Sequence, residues 1–322
     1  MKVSFGVPPL WVEGGLRHQV LSLKRELEKK GVEVEIHSPE KKPSGIFHLF
    51  KASFSTHELA GRVKEAGIPL ITTPVFYSSH PPLFPFLVKI DSFFSRFKLF
   101  SERYFIKEIL TLSDLVLPNT EEEKKLCERL GARNVKLLPV GVEERFKDAS
   151  PEEFVKKYGI KDFVLYAGEI GTKRKNTWRV VEALKGLPAV FIGNPRDEKI
   201  LEKIKEYKFL WIPELPHSSS LLASAYAACR VFVLASLYET PGISAMEAGL
   251  AGANVVITPY GGTKEYFGKY AFYCNPYSVR SIREKVIEAM ESPYRKELRE
   301  RLLQFTWERI AERLVEYYSW IS

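Results

Sequence analysis

Residues 230–267 read RVFVLASLYETPGISAMEAGLAGANVVITPYGGTKEYF. The short apolar, β-branched run RVFVLAS is a buried strand, and Pro241-Gly242 breaks it. An Ala-rich helical segment follows, then a second β-branched run, NVVITPY, and the turn Gly261-Gly262. That order is a βαβ unit. Its helix starts at about Gly242 to Ile243, so its first backbone N–H groups point out of the sheet edge, where a helix N-terminus favours a phosphate. Two carboxylates flank this anion site: Glu239 in the loop before the helix, and Glu247 roughly one and a half turns into it. One is placed to reach a sugar hydroxyl. The other can pair with a ribose diol, because a carboxylate accepts two hydrogen bonds at once.

The same alternation extends towards both ends. MKVSFGV is a strand, WVEGG a loop and LRHQVLSLKRELEKKG a helix whose Leu16, Val20, Leu23 and Leu27 repeat at helical spacing. Gly14-Gly15 in that loop lets a backbone approach a diphosphate closely; a plain turn is the alternative. VEVEIHS, GIFHLFKAS, PLITTPV, SDLVLPN and NVKLLPV read as further strands, with helices STHELAGRVKEAG and TEEEKKLCERLG between them. Thr120 followed by Glu123 has the spacing of a capping box. Beyond the linker helix DASPEEFVKKYG the pattern starts again with FVLYAGE, so two doubly wound α/β domains are expected. Their expected extents are 1–145 together with a last helix over 306–322, and 146–305. In that last helix Trp307, Ile310, Leu314 and Tyr317 define the face to be buried.

One insertion interrupts the alternation. From Phe86, the residues Ile90, Phe93, Phe97, Phe100 and Tyr104 recur at steps of four and three, which predicts one aromatic stripe on one helix. Lys89, Arg96, Lys98, Arg103 and Lys107 flank it against two acidic residues, Asp91 and Glu102. Such a segment, 84–107, suits either packing on the first sheet or peripheral contact with a membrane surface.

With 322 residues, 45% hydrophobic and 27% charged, the chain is expected to be globular, and no apolar run approaches a membrane span. MKVSFGV lacks the features of a secretory leader, so a cytoplasmic location is expected, with the membrane face as the one variation. Cys127, Cys229 and Cys274 have unrelated spacings and read as buried thiols. Two glutamines and six asparagines among many Lys, Arg and Glu suggest a thermophilic source. The formal charge of +8 favours anionic partners. A nucleic-acid partner is not expected, for no recognition motif accompanies that charge.

Glu239 and Glu247 lie in the frame Tyr-Glu-x-Pro-Gly, Met-Glu-Ala, strand, Gly-Gly, Glu265, which resembles the Glu-x7-Glu motif of retaining GT-B glycosyltransferases, the family 4 or group 1 type. The resemblance implies the GT-B fold, two Rossmann-like domains facing across a cleft with the last helix crossing back to the first domain. It also implies transfer of a hexose from a UDP- or GDP-sugar, with retention, to a glycan or lipid-linked acceptor, the nucleotide sugar being a co-substrate and no cofactor or metal being required. Donor contacts would come from Gly14, Gly15, Arg174, Lys175, Gly242, Ile243, Glu247, Gly261 and Gly262, and catalytic ones from Glu239, Lys175 and His80. Glu13 beside the glycine loop is a further candidate acceptor contact.

This chain departs from the family at two places. Relatives carry Gly-Arg where it has Gly168-Glu169, and a carboxylate cannot neutralise a diphosphate; Lys173 or Arg174, from the loop GTKRKN, would then supply the second cation beside Lys175. Several relatives have a histidine after the strand equivalent to PLITTPV, where this chain has Pro74, Val75 and Phe76 and offers His80 a few residues on. The alternative expectation is a catalytically weak GT-B protein that binds a nucleotide sugar or partner without turnover. The loop around Pro213 to His217 would face the base, with His217 itself a loop or cap residue.

Overall fold

A computed structural model of the chain describes residues 1–9, 14–38, 40–77, 83–94 and 100–321. It divides into two compact units, Met1–Gly141 with Trp307–Ser322, and Val142–Thr306.

The first unit runs β1 (Lys2–Gly6), α1 (Gly15–Lys29), β2 (Glu33–Ile36), β3 (Ile46–Phe50), α2 (Phe54–Glu65), β4 (Leu70–Thr73), α3 (Phe84–Phe94), α4 (Glu102–Leu112), β5 (Leu115–Val116) and α5 (Glu121–Arg129). Its strands lie in the order β2-β1-β3-β4-β5, each pair parallel. β3 and β4 are buried along their whole length, so neither alternates apolar with polar residues: β3 is apolar but for His48, and β4 pairs Leu70-Ile71 with two buried threonines.

The second unit runs α6 (Glu152–Tyr158), β6 (Val164–Ala167), α7 (Thr177–Leu184), β7 (Ala189–Ile192), α8 (Glu198–Glu206), β8 (Leu210–Ile212), α9 (Ser220–Ala228), β9 (Val231–Leu234), α10 (Ile243–Ala251), β10 (Asn254–Ile257), α11 (Thr263–Phe267), β11 (Phe272–Tyr273), α12 (Val279–Glu291) and α13 (Lys296–Leu302). Its six parallel strands lie in the order β11-β10-β9-β6-β7-β8. Strand order therefore reverses between β6 and β9. Loops leaving the carboxyl ends of those two strands diverge there and leave room for a ligand.

The last helix, α14 (Trp307–Ser319), belongs to the first unit. It buries Trp307, Ile310 and Leu314, and completes the face with Tyr318 where the periodicity had indicated Tyr317. Two contacts fix it. A Cβ on Gly141 would lie 2.3 Å from the Trp307 indole, so that position has room for glycine alone. Fully buried His48 on β3 meets the Tyr318 hydroxyl at 2.6 Å through Nδ1 and Thr73 Oγ1 at 2.9 Å through Nε2. The neutral ring satisfies both, one nitrogen donating and the other accepting. Burial pushes the His48 pKa down to about 3.

Three sequence expectations need correction. The aromatic stripe is not on one helix: α3 stops at Phe94 and α4 starts at Glu102, with Ser101 as its N-cap accepting from the Tyr104 amide at 3.2 Å. Asp91 draws the two helices together by accepting from Ser101 Oγ at 2.6 Å and from Arg103 at 2.7 and 3.2 Å. The inward residues are Phe84, Val88, Ile106 and Ile109, whereas Phe86 and Phe100 of the stripe are 60% and 52% exposed. Arg96, Phe97 and Lys98 lie outside the described residues. NVKLLPV is not a strand; Val135 makes a single bridge to Val116. The box at Thr120 is half formed. Thr120 accepts from the Glu123 amide at 3.1 Å, but the Glu123 carboxylate accepts from the amides of Asn119 and Phe76, at 2.7 and 2.9 Å.

Candidate active site

The second unit gathers most of the candidate residues at its β6/β9 reversal. After β9 the chain passes through Glu239 to Gly242, which caps α10 with φ +94°, outside the range that side chains favour. The first N–H groups of α10, those of Gly242 and Ile243 included, lack intrahelical acceptors and are directed out of its N-terminus. The backbone of Glu239 is held by the turn after β10. Its amide donates to Tyr260 O at 3.1 Å, and its carbonyl accepts from the Gly262 amide at 3.0 Å. A Cβ on Gly261, which has φ +84°, would lie 2.2 Å from that carbonyl oxygen. The Gly-Gly turn therefore holds the backbone of the first glutamate.

After β6 the loop 168–176 brings cations to the same carboxylate. Arg174 Nη1 donates to Glu239 Oε1 at 3.0 Å and Lys175 Nζ donates to the same oxygen at 2.8 Å. The loop is pinned on both sides. Arg174 O accepts from the Leu237 amide at 2.8 Å, and Asn176 Nδ2 donates to Ala235 O at 2.9 Å and Pro276 O at 2.7 Å. Glu239 is 6% exposed. Burial acts to raise its pKa, but the charges of Lys175 and Arg174 outweigh it and hold the carboxyl below the usual carboxylate range. Glu239 is thus ionised at neutral pH. Glu169, in the place where relatives carry arginine, turns to Arg196 at 3.8 Å on the exposed surface. Of the two cations that the sequence offers in place of that arginine, Arg174 is the one that joins Lys175 on Glu239.

Glu247, five residues into α10, is 2% exposed. His217 Nε2 meets its Oε1 at 2.5 Å. Burial disfavours protonation of His217, yet the hydrogen bond to Glu247 and its charge prevail and raise the histidine pKa. Arg145 donates to the His217 carbonyl, and the Phe146 ring stands edge-on to the imidazole, centroids 5.8 Å apart. The buried Tyr226 hydroxyl faces Glu247 too, and burial and then that carboxylate push its pKa well above the ordinary tyrosine value. His217 is therefore more than the loop or cap residue expected from sequence. No local signal links it to a carboxylate 30 residues later.

Glu239, Arg174, Lys175, Gly242, Ile243, Glu247, Gly261 and Gly262 accordingly share one unit and one end of one sheet. Gly14 and Gly15 belong to the first unit, where Gly14 caps α1 with φ +95° and Gly15 is its first residue. His80 and Glu13 lie outside the described residues.

Residues 150–306 match the family described as Glycosyl transferases group 1. The matched stretch spans nearly all of the second unit. No curated protein sequence matches the chain significantly. Among solved structures, it is similar to sucrose-phosphate synthase (tll1590) from Thermosynechococcus elongatus, with TM-score 0.77, 17% identity, and coverage of 99% of this chain and 98% of that one. It is also similar to Anabaena Alr3699/HepE in complex with UDP and glucose, with TM-score 0.72, 15% identity and 99% of each chain covered. A trehalose-6-phosphate structure from E. coli, bound with UDP-2-fluoro glucose, gives TM-score 0.73 and 10% identity over 100% of this chain and 99% of that one. These likenesses establish the GT-B fold class.

Proposed function

We propose that this glycosyltransferase moves a hexose from a UDP- or GDP-sugar to a glycan or lipid-linked acceptor, with retention and without a metal ion. The observation that carries the reading is the convergence of Arg174 and Lys175 on Glu239 beside the N-terminus of α10, with Glu247 buried one turn further on. The chemical barrier is departure of a diphosphate from an oxocarbenium-like centre. Arg174, Lys175 and the amides of Gly242 and Ile243 are a set of preorganised positive groups that would stabilise that charge, and this supports metal independence. Glu247 would accept from the ribose hydroxyls and Glu239 from a hydroxyl of the transferred sugar. Two structural neighbours contain UDP or a UDP-sugar, which favours UDP over GDP.

Glu169 is the feature that favours a weak or inactive binder, since an arginine is lost there; Arg174 offsets that loss. The expected result with UDP-glucose and a mixed acceptor panel is product of unchanged anomeric configuration by NMR, with EDTA present. Glu247→Gln should abolish turnover at an unchanged melting temperature. An unaltered rate in that variant would overturn the assignment.

A lipid-linked acceptor is supported by the α3–α4 pair, whose Leu83, Phe86, Ile90 and Phe100 are exposed next to Lys89. Phe86→Ser with Ile90→Ser should reduce sedimentation with anionic liposomes. Equal sedimentation would remove this support.

A further inference from the structure

Glu239 Oε1 accepts from both of the cations that the donor diphosphate would need. Its two lone pairs are thereby engaged, and the carboxylate is almost wholly buried with Lys175 beside it. Two fixed positive charges are offset by one negative charge that belongs to the protein. We propose that Glu239 is a resident counter-anion: in the ligand-free enzyme it holds Arg174 and Lys175 in place, yields them to the diphosphate as the donor binds, and takes them back as the nucleoside diphosphate leaves.

This role rests on the donor-site reading above and goes beyond it, because it assigns Glu239 a function in the binding and release steps. The exchange is possible without moving the backbone. The hydrogen bonds from Leu237 to Arg174 and from Asn176 to Ala235 pin the two loops to each other, so the side chains alone reorient. Arg174 has five donors and Lys175 three, so each can turn donors towards phosphate oxygens. The depressed pKa of Glu239 keeps its charge in place through neutral pH, so the exchange does not wait for a proton. Product release gains most. Once the sugar has gone, the nucleoside diphosphate competes with an anion tethered beside the same two cations, whose effective concentration is high and constant.

The test is calorimetric binding of UDP and of GDP to the full chain and to Glu239→Gln, with uridine and guanosine as phosphate-free probes. Removing one negative charge within about 3 Å of both cations should tighten the nucleoside diphosphate roughly 10-fold or more and leave the nucleoside unchanged. The gain should shrink as salt is raised. Glu239→Asp, which keeps the charge but retracts it, should fall between the two, and it replaces the Gln variant should that one fail to melt cooperatively. Equal or weaker nucleoside diphosphate binding in both variants overturns the counter-anion role while leaving the donor site intact. Tightening of the nucleoside to the same degree also overturns it, because the effect would then not be one of charge. Failure of the wild-type chain to bind either diphosphate overturns the donor site and this role together.

Discussion

Gly261→Ala separates the two reasons for which a glycine can be required, and a matched control exists in the same unit. Gly261 has φ +84° and Gly186 has φ +80°, so alanine at either position meets the same left-handed strain, about 1–2 kcal/mol. The surroundings differ. At Gly186 an added Cβ meets nothing within 4 Å, whereas at Gly261 it falls 2.2 Å from the Glu239 carbonyl oxygen and 3.0 Å from its carbon. That oxygen is backbone held by the Gly262 amide, so it cannot rotate aside. Relief requires the Glu239 loop to shift by roughly 1 Å, at a cost comparable to overpacking, about 1–3 kcal/mol. With each kcal/mol worth roughly 2–4 °C in a unit of this size, Gly261→Ala should melt several degrees below Gly186→Ala. The displaced loop carries Glu239 away from Arg174 and Lys175, so kcat/KM for the donor should fall about 100-fold, as expected for a misplacement near 1 Å. Gly186→Ala should keep wild-type kcat/KM. Scanning calorimetry and initial rates on both variants decide it: equal melting temperatures together with equal kcat/KM would refute the claim that the turn holds the glutamate.

Other consequences are open to direct measurement. The unfolded chain takes a proton on His48 near pH 6.5 but the folded chain does so near pH 3, so between those values the unfolded state binds more protons and stability is lost as pH falls. The slope should approach 1.4 kcal/mol per pH unit between pH 6 and 4. Urea titrations should show it shallower by that amount in His48→Phe, and parallel slopes would contradict the buried neutral ring. His217→Ala deprives the buried Glu247 carboxylate of its ring partner, and the cost of about 1–3 kcal/mol should appear as weaker UDP binding, 5-fold or more, in isothermal titration. Unchanged affinity would reduce His217 to a bystander. Gly141→Ala drives a Cβ to 2.3 Å from the Trp307 ring and should lower the unfolding free energy of the first unit, read by urea titration, by about 1–3 kcal/mol; a neutral result would mean that α14 yields easily.

The alternation of apolar runs with helical periods carried the fold, because strands buried on both faces have to be apolar throughout and their helices have to be amphipathic. The Glu239–Glu247 pair and Lys175 were legible for a related reason: the chain order of strand, Pro-Gly and helix fixes where such residues stand. Legibility ended where geometry depends on segments remote in sequence. His217 reaches Glu247 from another loop, and neither residue has a neighbour that announces the other. Arg174 and Lys173 were equivalent on the page, and the pinning of the loop by Asn176 and Leu237 distinguishes them. The division of the aromatic stripe into α3 and α4 was half visible. Ser101 before Glu102 is a helix-start signal, but the apolar period ran across it, and the capture of Ser101 and Arg103 by Asp91 decided the outcome.

The placement of α14 also sets an order on synthesis. The second unit is one uninterrupted stretch, Val142–Thr306, and every strand it pairs has been made by the time its last residue emerges. The first unit begins earlier but finishes later: His48 must wait for Tyr318, 270 residues on, before its ring is satisfied, and Gly141 waits for Trp307. Until then the groove that α14 fills is apolar and open, during the stage when a nascent chain is most prone to aggregate. A folded second unit shortens the wait. It holds Val142 and Thr306 side by side through their bridge, so the closure that brings α14 home spans two adjacent ends and not a loose loop of the whole intervening chain.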